Sequence, residues 1–402
     1  MKIWIINHYA LPPRGAGGTR HYSLARELQS RGHEVLVIGA NYNHFSHELI
    51  PSSGKIGELD TSCDVPFLWI PVRAYQGNSP RRLLNMMDFV FGLLRNKYLR
   101  SKASPDVIIG SSPHLFAAFA AFRLARRLKK PFVLEVRDIW PESLTDLGRI
   151  SKKHPLILIM KWIELYLYRH ADRVITLLPN SKDYLVSCGV PASNILWLPN
   201  SVNILPPKNN KVRDKQDKKF TVMYAGAHGL ANDLETVVKA AKILHEMGKD
   251  QKIRIMLVGD GPEKTRLQEM VSSENTGIIE FMNPVPKQKI YDVMDQADAF
   301  IMLLKKSPVF RWGISPNKLF DYMMMARPVI FGVETPVDPV RISDSGISIP
   351  SGDPGVLANA ICQLAGLSEK TRLEMGERGR KYVTQHHDVR LLAVSLEQFI
   401  MV

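Results

Sequence analysis

The 402-residue chain carries 53 Lys and Arg against 39 Asp and Glu, a formal net charge of +14, with 45% hydrophobic and 23% charged residues. That length holds two domains of ordinary size, and the composition excludes a disordered chain. No stretch approaches the roughly eighteen uninterrupted apolar residues that a spanning helix needs, and the excess of cations favours an anionic partner: nucleic acid, nucleotide phosphates or an acidic membrane.

Met1 to His8 holds only a short apolar run before Pro12-Pro13, so residues 2–7 read as a first strand and not as the core of a signal peptide. A loop with Arg14, Gly15, Gly17 and Gly18 follows, then a predicted helix from about Arg20 to Ser30 closed by Gly32, then a strand from Glu34 to Gly39. This order begins a Rossmann-like parallel sheet, although the glycines do not fit G-x-G-x-x-G; they serve a tight turn or let backbone N–H groups approach a ligand. Val65–Val72 is another strand. The segment 80–102 reads as a basic amphipathic helix, and 149–169 repeats its chemistry with Lys152, Lys153, Lys161, Trp162, Tyr166 and Arg169. Each is either a core-packing helix with solvated ends or a helix lying on an anionic membrane with its cations at the headgroups.

A strand over 106–110 enters Ser111-Ser112-Pro113-His114 and a helix to about Lys130. The next strand, Phe132–Val136, empties into Arg137-Asp138-Ile139-Trp140-Pro141-Glu142. A charged pair followed by Trp-Pro at the carboxyl end of a strand stands where open α/β sheets bind ligands, and core packing does not explain it. Strands at 173–178 and 195–198 complete this half. Residues 205–219 carry much charge and no apolar period, so a linker at 201–219 separates a domain at 1–200 from one at 220–384. Cys63, Cys188 and Cys362 lie far apart without metal spacing and fit small core residues in a reducing cytosol.

The second half restarts the pattern. A strand at 220–225 leads to the loop Gly226-Ala227-His228-Gly229-Leu230-Ala231-Asn232 and a helix from Asp233; a strand at 253–258 leads to Gly259-Asp260-Gly261-Pro262-Glu263 and another helix. A strand at 277–281 ends in Met282-Asn283-Pro284-Val285-Pro286, and one at 299–303 runs to Lys305-Lys306. In Gly313-Ile314-Ser315-Pro316-Asn317-Lys318-Leu319-Phe320-Asp321-Tyr322 a loop gives way to a buried helical stripe. Ser315 as N-cap and Pro316 as first helical residue place a helix start there, with free N–H groups suited to a phosphate and Lys318 adding a charge. Asp321 lies about two turns on, where a carboxylate can accept from a ribose diol. The plain alternative is an ordinary capped helix packed on a sheet. The tail from Tyr382 to Val402 reads as one last helix.

This motif, preceded by Ser307-Pro308-Val309-Phe310-Arg311, resembles the nucleotide-sugar donor motif of retaining glycosyltransferases of family 4, and most resembles their bacterial surface-polysaccharide branch, the capsule and O-antigen enzymes. Glu135-Val136-Arg137-Asp138-Ile139-Trp140-Pro141-Glu142-Ser143 and Val258-Gly259-Asp260-Gly261-Pro262-Glu263 share the resemblance, which spans nearly the whole chain. It implies the GT-B fold: α/β, two Rossmann-like domains with parallel sheets facing a cleft, the C-terminal helix at about 385–402 crossing back to the first domain. The family's signature, Glu, seven residues, Glu, falls here on Gly313 and Asp321, which leaves Asp321 as ribose ligand and removes the first carboxylate. Where many members carry Arg and Lys after the first strand of the donor half, this chain has His228 and Asn232, so charge falls to Lys305, Arg311 and Lys318. On this resemblance Gly226, His228, Gly229, Asn232, Val285, Lys305, Arg311 and the run Gly313, Ser315, Pro316, Asn317, Lys318, Leu319 and Asp321 hold the donor. Gly17, Gly18, His114, Arg137 and Asp138 face the acceptor, and Arg137, Asp138 and Lys318 carry the catalysis.

The function so implied is transfer of a hexosyl or N-acetylaminosugar group from a nucleoside-diphosphate sugar to a lipid-linked or glycan acceptor, with retention, by an enzyme at the inner face of the plasma membrane. Asp138 either moves a proton or orients the acceptor. No Asp-x-Asp pair occurs, so no metal is expected. A 2-epimerase of nucleotide sugars shares the fold and the donor half. Nucleic-acid binding rests on charge alone, without aromatic platforms or a known motif.

Overall fold

The structure is a computed structural model that describes residues 1–13, 19–44, 46–50, 59–75, 77, 80–101, 104–112, 114–146, 150–205, 219–274, 277–285 and 289–401. The chain forms two compact units: Met1–Ser201, Arg311–Ser315 and Val389–Val402 make one, Val202–Phe310 and Pro316–Asp388 the other. Most of the linker at 201–219, residues 206–218, lies outside the described residues.

The strands of the first unit are β1 (Lys2–Ile6), β2 (Glu34–Ala40), β3 (Tyr42–Asn43), β4 (Glu48–Leu49), β5 (Leu59–Asp60), β6 (Phe67–Ile70), β7 (Val107–Ser111), β8 (Phe132–Val136), β9 (Arg173–Thr176) and β10 (Ile195–Trp197). Eight of them form one sheet in the order β10-β9-β8-β7-β1-β2-β6-β5, parallel except for β5 on β6, while β3 and β4 pair apart as an antiparallel ribbon. Runs such as Ile3-Trp4-Ile5-Ile6 and Phe132-Val133-Leu134 are buried at every position, as strands covered on both faces must be. The covering helices are α1 (Arg20–Ser30), α2 (Pro80–Arg95), α3 (Lys97–Ser101), α4 (Leu115–Leu128), α5 (Glu142–Asp146), α6 (Pro155–His170) and α7 (Lys182–Ser187). The segment 80–102, which reads as one helix, is broken between α2 and α3. Asn96 makes the break, because its side-chain oxygen accepts the Leu99 N–H at 3.2 Å and starts a new helix.

The second unit is a six-stranded parallel sheet ordered β13-β12-β11-β14-β15-β16. Its strands are β11 (Phe220–Ala225), β12 (Ile253–Val258), β13 (Ile279–Met282), β14 (Ala299–Leu303), β15 (Val329–Gly332) and β16 (Gly346–Ser348). Its helices are α8 (Leu234–Glu246), α9 (Lys264–Glu274), α10 (Ile290–Met294), α11 (Asn317–Met324), α12 (Pro339–Ser343), α13 (Pro354–Gly366) and α14 (Glu369–His386). The last three begin at Asp338, Asp353 and Ser368, whose side chains accept the first free N–H groups. The tail is not one helix. It breaks at His387, whose carbonyl accepts the Val202 N–H at 2.8 Å, and resumes as α15 (Val389–Met401). The apolar stripe of α15, Val389, Leu392, Ala393 and Leu396, shares the core of the first unit with Leu24, Ala25 and Leu28 of α1.

One buried charge cluster ties the carboxyl ends of the first sheet together. Glu135, 2% exposed in β8, accepts from Arg20 Nε at 2.9 Å, His21 Nε2 at 2.7 Å and Ser111 Oγ. Arg20 also donates to the carbonyls of Leu198 and Pro199, and Asn7 Nδ2 donates to Ser111 Oγ at 2.8 Å. Burial pushes the Glu135 carboxyl up, but the Arg20 charge and the hydrogen bond from His21, whose own value burial lowers, hold it well below the usual carboxylate range. Glu135→Ala strands a buried guanidinium, so unfolding in urea at neutral pH, followed by tryptophan fluorescence, is expected to lose about 3–5 kcal/mol.

Candidate functional site

In the second unit the site forms where β11, β12 and β14 end. Tyr322 fixes it by bonding β11 from α11: its hydroxyl donates to Ala225 O and accepts from Ala225 N, both at 2.8 Å, with its ring stacked on Phe300. The loop after β11 is gripped by the turn after β12. His228 N donates to Asp260 O at 2.7 Å, and Glu263 N to His228 O at 3.0 Å. Only glycine fits that grip. Gly259 and Gly261 have φ of +140° and +156°, and a Cβ there would lie 2.0 Å from Gly226 O and 2.5 Å from His228 O.

Lys318 reaches into this loop from α11. Its Nζ donates to Tyr224 Oη at 2.9 Å and to Asn232 Oδ1, and stands 4.8 Å from the centroid of the Tyr224 ring. Tyr224 Oη donates in turn to Ala227 O at 2.7 Å, and Asn232 Nδ2 donates to the same carbonyl at 2.9 Å, which orients Asn232 Oδ1 toward the lysine. Both partners of Lys318 are neutral, and no carboxylate pairs with it among the described residues. Burial draws its ammonium down to about 8. Beside it the His228 ring is fully buried with both nitrogens unpartnered; burial, then the charges of Lys264 and Lys318, lower it to about 4, so it is a neutral imidazole at pH 7. Two orphaned ring nitrogens and an unneutralised cation are what a bound oxyanion with hydroxyl groups would satisfy.

The helix start expected at Ser315 lies two residues later. Asn317 opens α11, Pro316 is its cap and no side chain caps it; the Ser315 hydroxyl instead accepts the Asn200 N–H at 2.8 Å. Asp321 accepts from Tyr291 Oη of α10 at 2.9 Å. Gly226 and Gly229 line the loop, a Cβ at Gly226 lying 3.1 Å from Tyr224 Oη. Asn317 is exposed, Leu319 is buried core, and Val285 sits half-buried after β13. Lys305 bonds Ala231 O through its backbone N–H, and its charge acts on Asp233. Arg311 belongs to the first unit, where its guanidinium pairs with Asp146 at 2.6 Å and lies 3.6 Å over the Trp312 ring. Gly313, φ +88°, packs on Pro179. Sequence reasoning placed Gly259 and Gly261 in a turn that shares the resemblance but not at the site, and it passed over Tyr224 and Tyr291; a polar residue near the end of an apolar strand was the available signal for Tyr224.

In the first unit Gly17 and Gly18 lie outside the described residues. Arg137 N donates to Ser112 Oγ at 2.9 Å, and no ion pair joins the Arg137 and Asp138 side chains. The surrounding chain raises the Asp138 carboxyl and Arg137 opposes the rise, but the residue is exposed, so the shift carries little stability. His114 is buried with both ring nitrogens unpartnered, its ring 4.9 Å from that of His8. Burial holds His8 at about 3 and His114 well below its ordinary value, so both rings are neutral at pH 7.

Sixteen per cent of residues are identical to sucrose-phosphate synthase of Thermosynechococcus elongatus, whose structure superposes with a TM-score of 0.76 over 100% of this chain and 98% of that one. Anabaena HepE in complex with UDP-glucose superposes at 0.67, with 14% identity, over 100% and 99% of the two chains. The fold is GT-B. Residues 15–201 match the glycosyl transferase 4-like domain and residues 219–366 the glycosyl transferases group 1 family, so the chain is a glycosyltransferase built from these two domains. Among curated proteins it is 22% identical to the putative colanic acid biosynthesis glycosyl transferase WcaI of Escherichia coli K12, over 83% of this chain and 84% of that protein.

The low value at Lys318 sets a pH window. Its folded pKa, about 8, lies below the unfolded lysine value of about 10.4, so the protonated site costs native stability below pH 8, and the cost fades as pH rises from 8 to about 10.4. Over that window the site also loses its charge. Calorimetric titration with pyrophosphate is expected to weaken close to tenfold per pH unit above about 8, while Lys318→Arg, permanently charged, holds its affinity to pH 9.5.

Proposed function

We propose that this glycosyltransferase moves a sugar from a nucleoside-diphosphate sugar, with retention, to a lipid-linked or glycan acceptor in bacterial surface polysaccharide synthesis. The observation that carries the reading is Lys318: a cation with only neutral partners, at the uncapped start of α11, beside the unpartnered His228 ring. As the bond from the anomeric carbon to the diphosphate oxygen breaks and the acceptor oxygen bonds to that carbon, negative charge grows on the diphosphate. Lys318 and the α11 N–H groups meet that charge without a metal, and the acceptor's proton leaves with the diphosphate or to solvent. Asp321 accepts from the donor ribose, and Arg137 and Asp138 face the acceptor. The UDP-glucose complex of HepE supports a nucleotide-sugar donor, the name of WcaI supports a polysaccharide product, and the matched domains favour transfer over epimerisation.

A panel of UDP-, GDP- and ADP-sugars, read by acceptor-dependent release of nucleoside diphosphate, tests this; release of an epimerised sugar without acceptor would reject it. Asp321→Ala is expected to raise the donor KM at least tenfold, the loss of a hydrogen bond worth about 1.5–3 kcal/mol. Lys318→Ala should lower kcat/KM far more than threefold; a smaller loss moves the leaving-group role to another cation.

We also place the enzyme on the cytoplasmic face of an anionic membrane. α2 and α6 both pack on α4, and core packing accounts for Phe89 and Leu93 on one and Ile157, Met160 and Ile163 on the other. It does not account for Leu83, Leu84 and Phe91, or Leu158, Ile159 and Trp162, which are exposed near Arg81, Arg95, Lys152 and Lys153. No helix among the described residues is long and apolar enough to cross a membrane, so contact would be peripheral. In flotation assays, binding should need anionic lipid, weaken with salt and drop when Leu158 and Trp162 are both changed to Asp. Equal binding to neutral vesicles would defeat the assignment.

A further inference from the structure

Leu-Pro-Asn-Ser occurs twice, at 178–181 and 198–201, each time just after one of the neighbouring parallel strands β9 and β10. The two asparagines are used alike. Asn180 donates its backbone N–H to Trp312 O at 2.9 Å and its side-chain amide to Arg311 O at 3.0 Å. Asn200 donates its backbone N–H to Ser315 Oγ at 2.8 Å and its side-chain amide to Ser315 O. Two matching turns therefore hold one segment, Arg311–Ser315, which groups with the first unit although the residues on both sides of it belong to the second.

Other contacts press the same segment down. Arg311 pairs with Asp146 of α5, and the buried Trp312 ring lies 5.2 Å from that of Tyr184 in α7. At Gly313 a Cβ would stand 2.5 Å from Pro179 Cγ, so the strap lies flush on the first turn. The turns are themselves fixed. Arg20 of the buried Glu135 cluster bonds the carbonyls of Leu198 and Pro199, and Ser181 Oγ bonds Thr176 Oγ1 at 2.7 Å. Ser315 is followed at once by Pro316, the cap of α11, and Lys318 lies three residues on, about 11 Å of chain at full extension. With so little chain between them, freedom at Ser315 is passed to the start of the helix.

We propose that Asn180 and Asn200 are positioning residues for sugar transfer: the paired Leu-Pro-Asn-Ser turns clamp Arg311–Ser315 and so set where α11 begins and where Lys318 presents its ammonium. This rests on the reading of Lys318 and α11 as the diphosphate site. A cation held in place stabilises a developing charge better than one that must be recruited, so the clamp acts on turnover as well as on donor affinity.

The test uses the full chain and the variants Asn180→Ala, Asn200→Ala, the double variant, Ser315→Ala, Ser315→Thr and Lys318→Ala. The alanine variants at the asparagines keep both backbone donors. In the double variant, amide hydrogens over 311–319 are expected to exchange at least tenfold faster while those of β11 and β12 are unchanged. Pyrophosphate and UDP should bind about tenfold more weakly, and kcat should fall along with the rise in donor KM. Ser315→Ala reaches part of the effect from the other side of the contact, should Asn200→Ala fail to fold, and Ser315→Thr restores it. Unchanged exchange over 311–319 in the double variant, or in Ser315→Ala if the former does not fold, overturns the proposal. So does faster exchange with full pyrophosphate affinity in a protein whose Lys318→Ala variant has lost that affinity, and this pattern leaves the diphosphate reading standing. Wild-type protein that binds neither probe fails the diphosphate reading itself, and the role of the clamp with it.

Discussion

The carboxyl ends of the first sheet depend on one buried carboxylate. Glu135 accepts from groups on α1 and β7, and through Arg20 it reaches the turn after β10, so four separated stretches of chain are held by one side chain at the depth of an otherwise apolar sheet. A carboxylate placed there is costly unless it is paired and hydrogen-bonded, and Glu135 accepts from Arg20, His21 and Ser111. The rest follows from that fixity: the turn pinned by Arg20 is the one that presents Asn200, and Asn200 holds the residue just ahead of α11.

Two lysines show how surroundings separate a structural cation from a functional one. Lys161 on α6 is desolvated too, yet Glu164 and Glu142 more than offset the effect and raise it above the ordinary lysine value. Its charge is spent joining α5 to α6. Lys318 meets a phenol and an amide, and burial prevails. Only the second has electrostatic work left to do, and composition could not tell the two apart.

Much of this was legible in the sequence, for reasons that differ by element. Buried parallel strands announce themselves as unbroken apolar runs, so β1, β8, β11, β12 and β14 fall where patterning puts them. The loop of His228 and Asn232 and the helix bearing Lys318 and Asp321 were readable because Gly, Ser and Pro punctuate them. What local signals could not show was competition from afar. Ser315 is a good cap by type, but its hydroxyl is taken by Asn200, 115 positions away, and the helix starts later. The tail reads as one helix until Val202 claims the carbonyl of His387. Arg311 counted as a free charge in one dimension, whereas Asp146 pairs with it in three.

Gly313 stands where enzymes that the motif resembles carry a carboxylate, and its surroundings make that difference hard to reverse. Its backbone sits at φ +88°, and a Cβ would overlap Pro179, a ring with no rotamer by which to step aside. A single substitution that brought an acid back would meet both backbone strain and a collision, and would need a compensating change at 179 to be tolerated. Pro179 and Gly313 therefore form one packing unit, in which the identity of each residue limits what the other position tolerates.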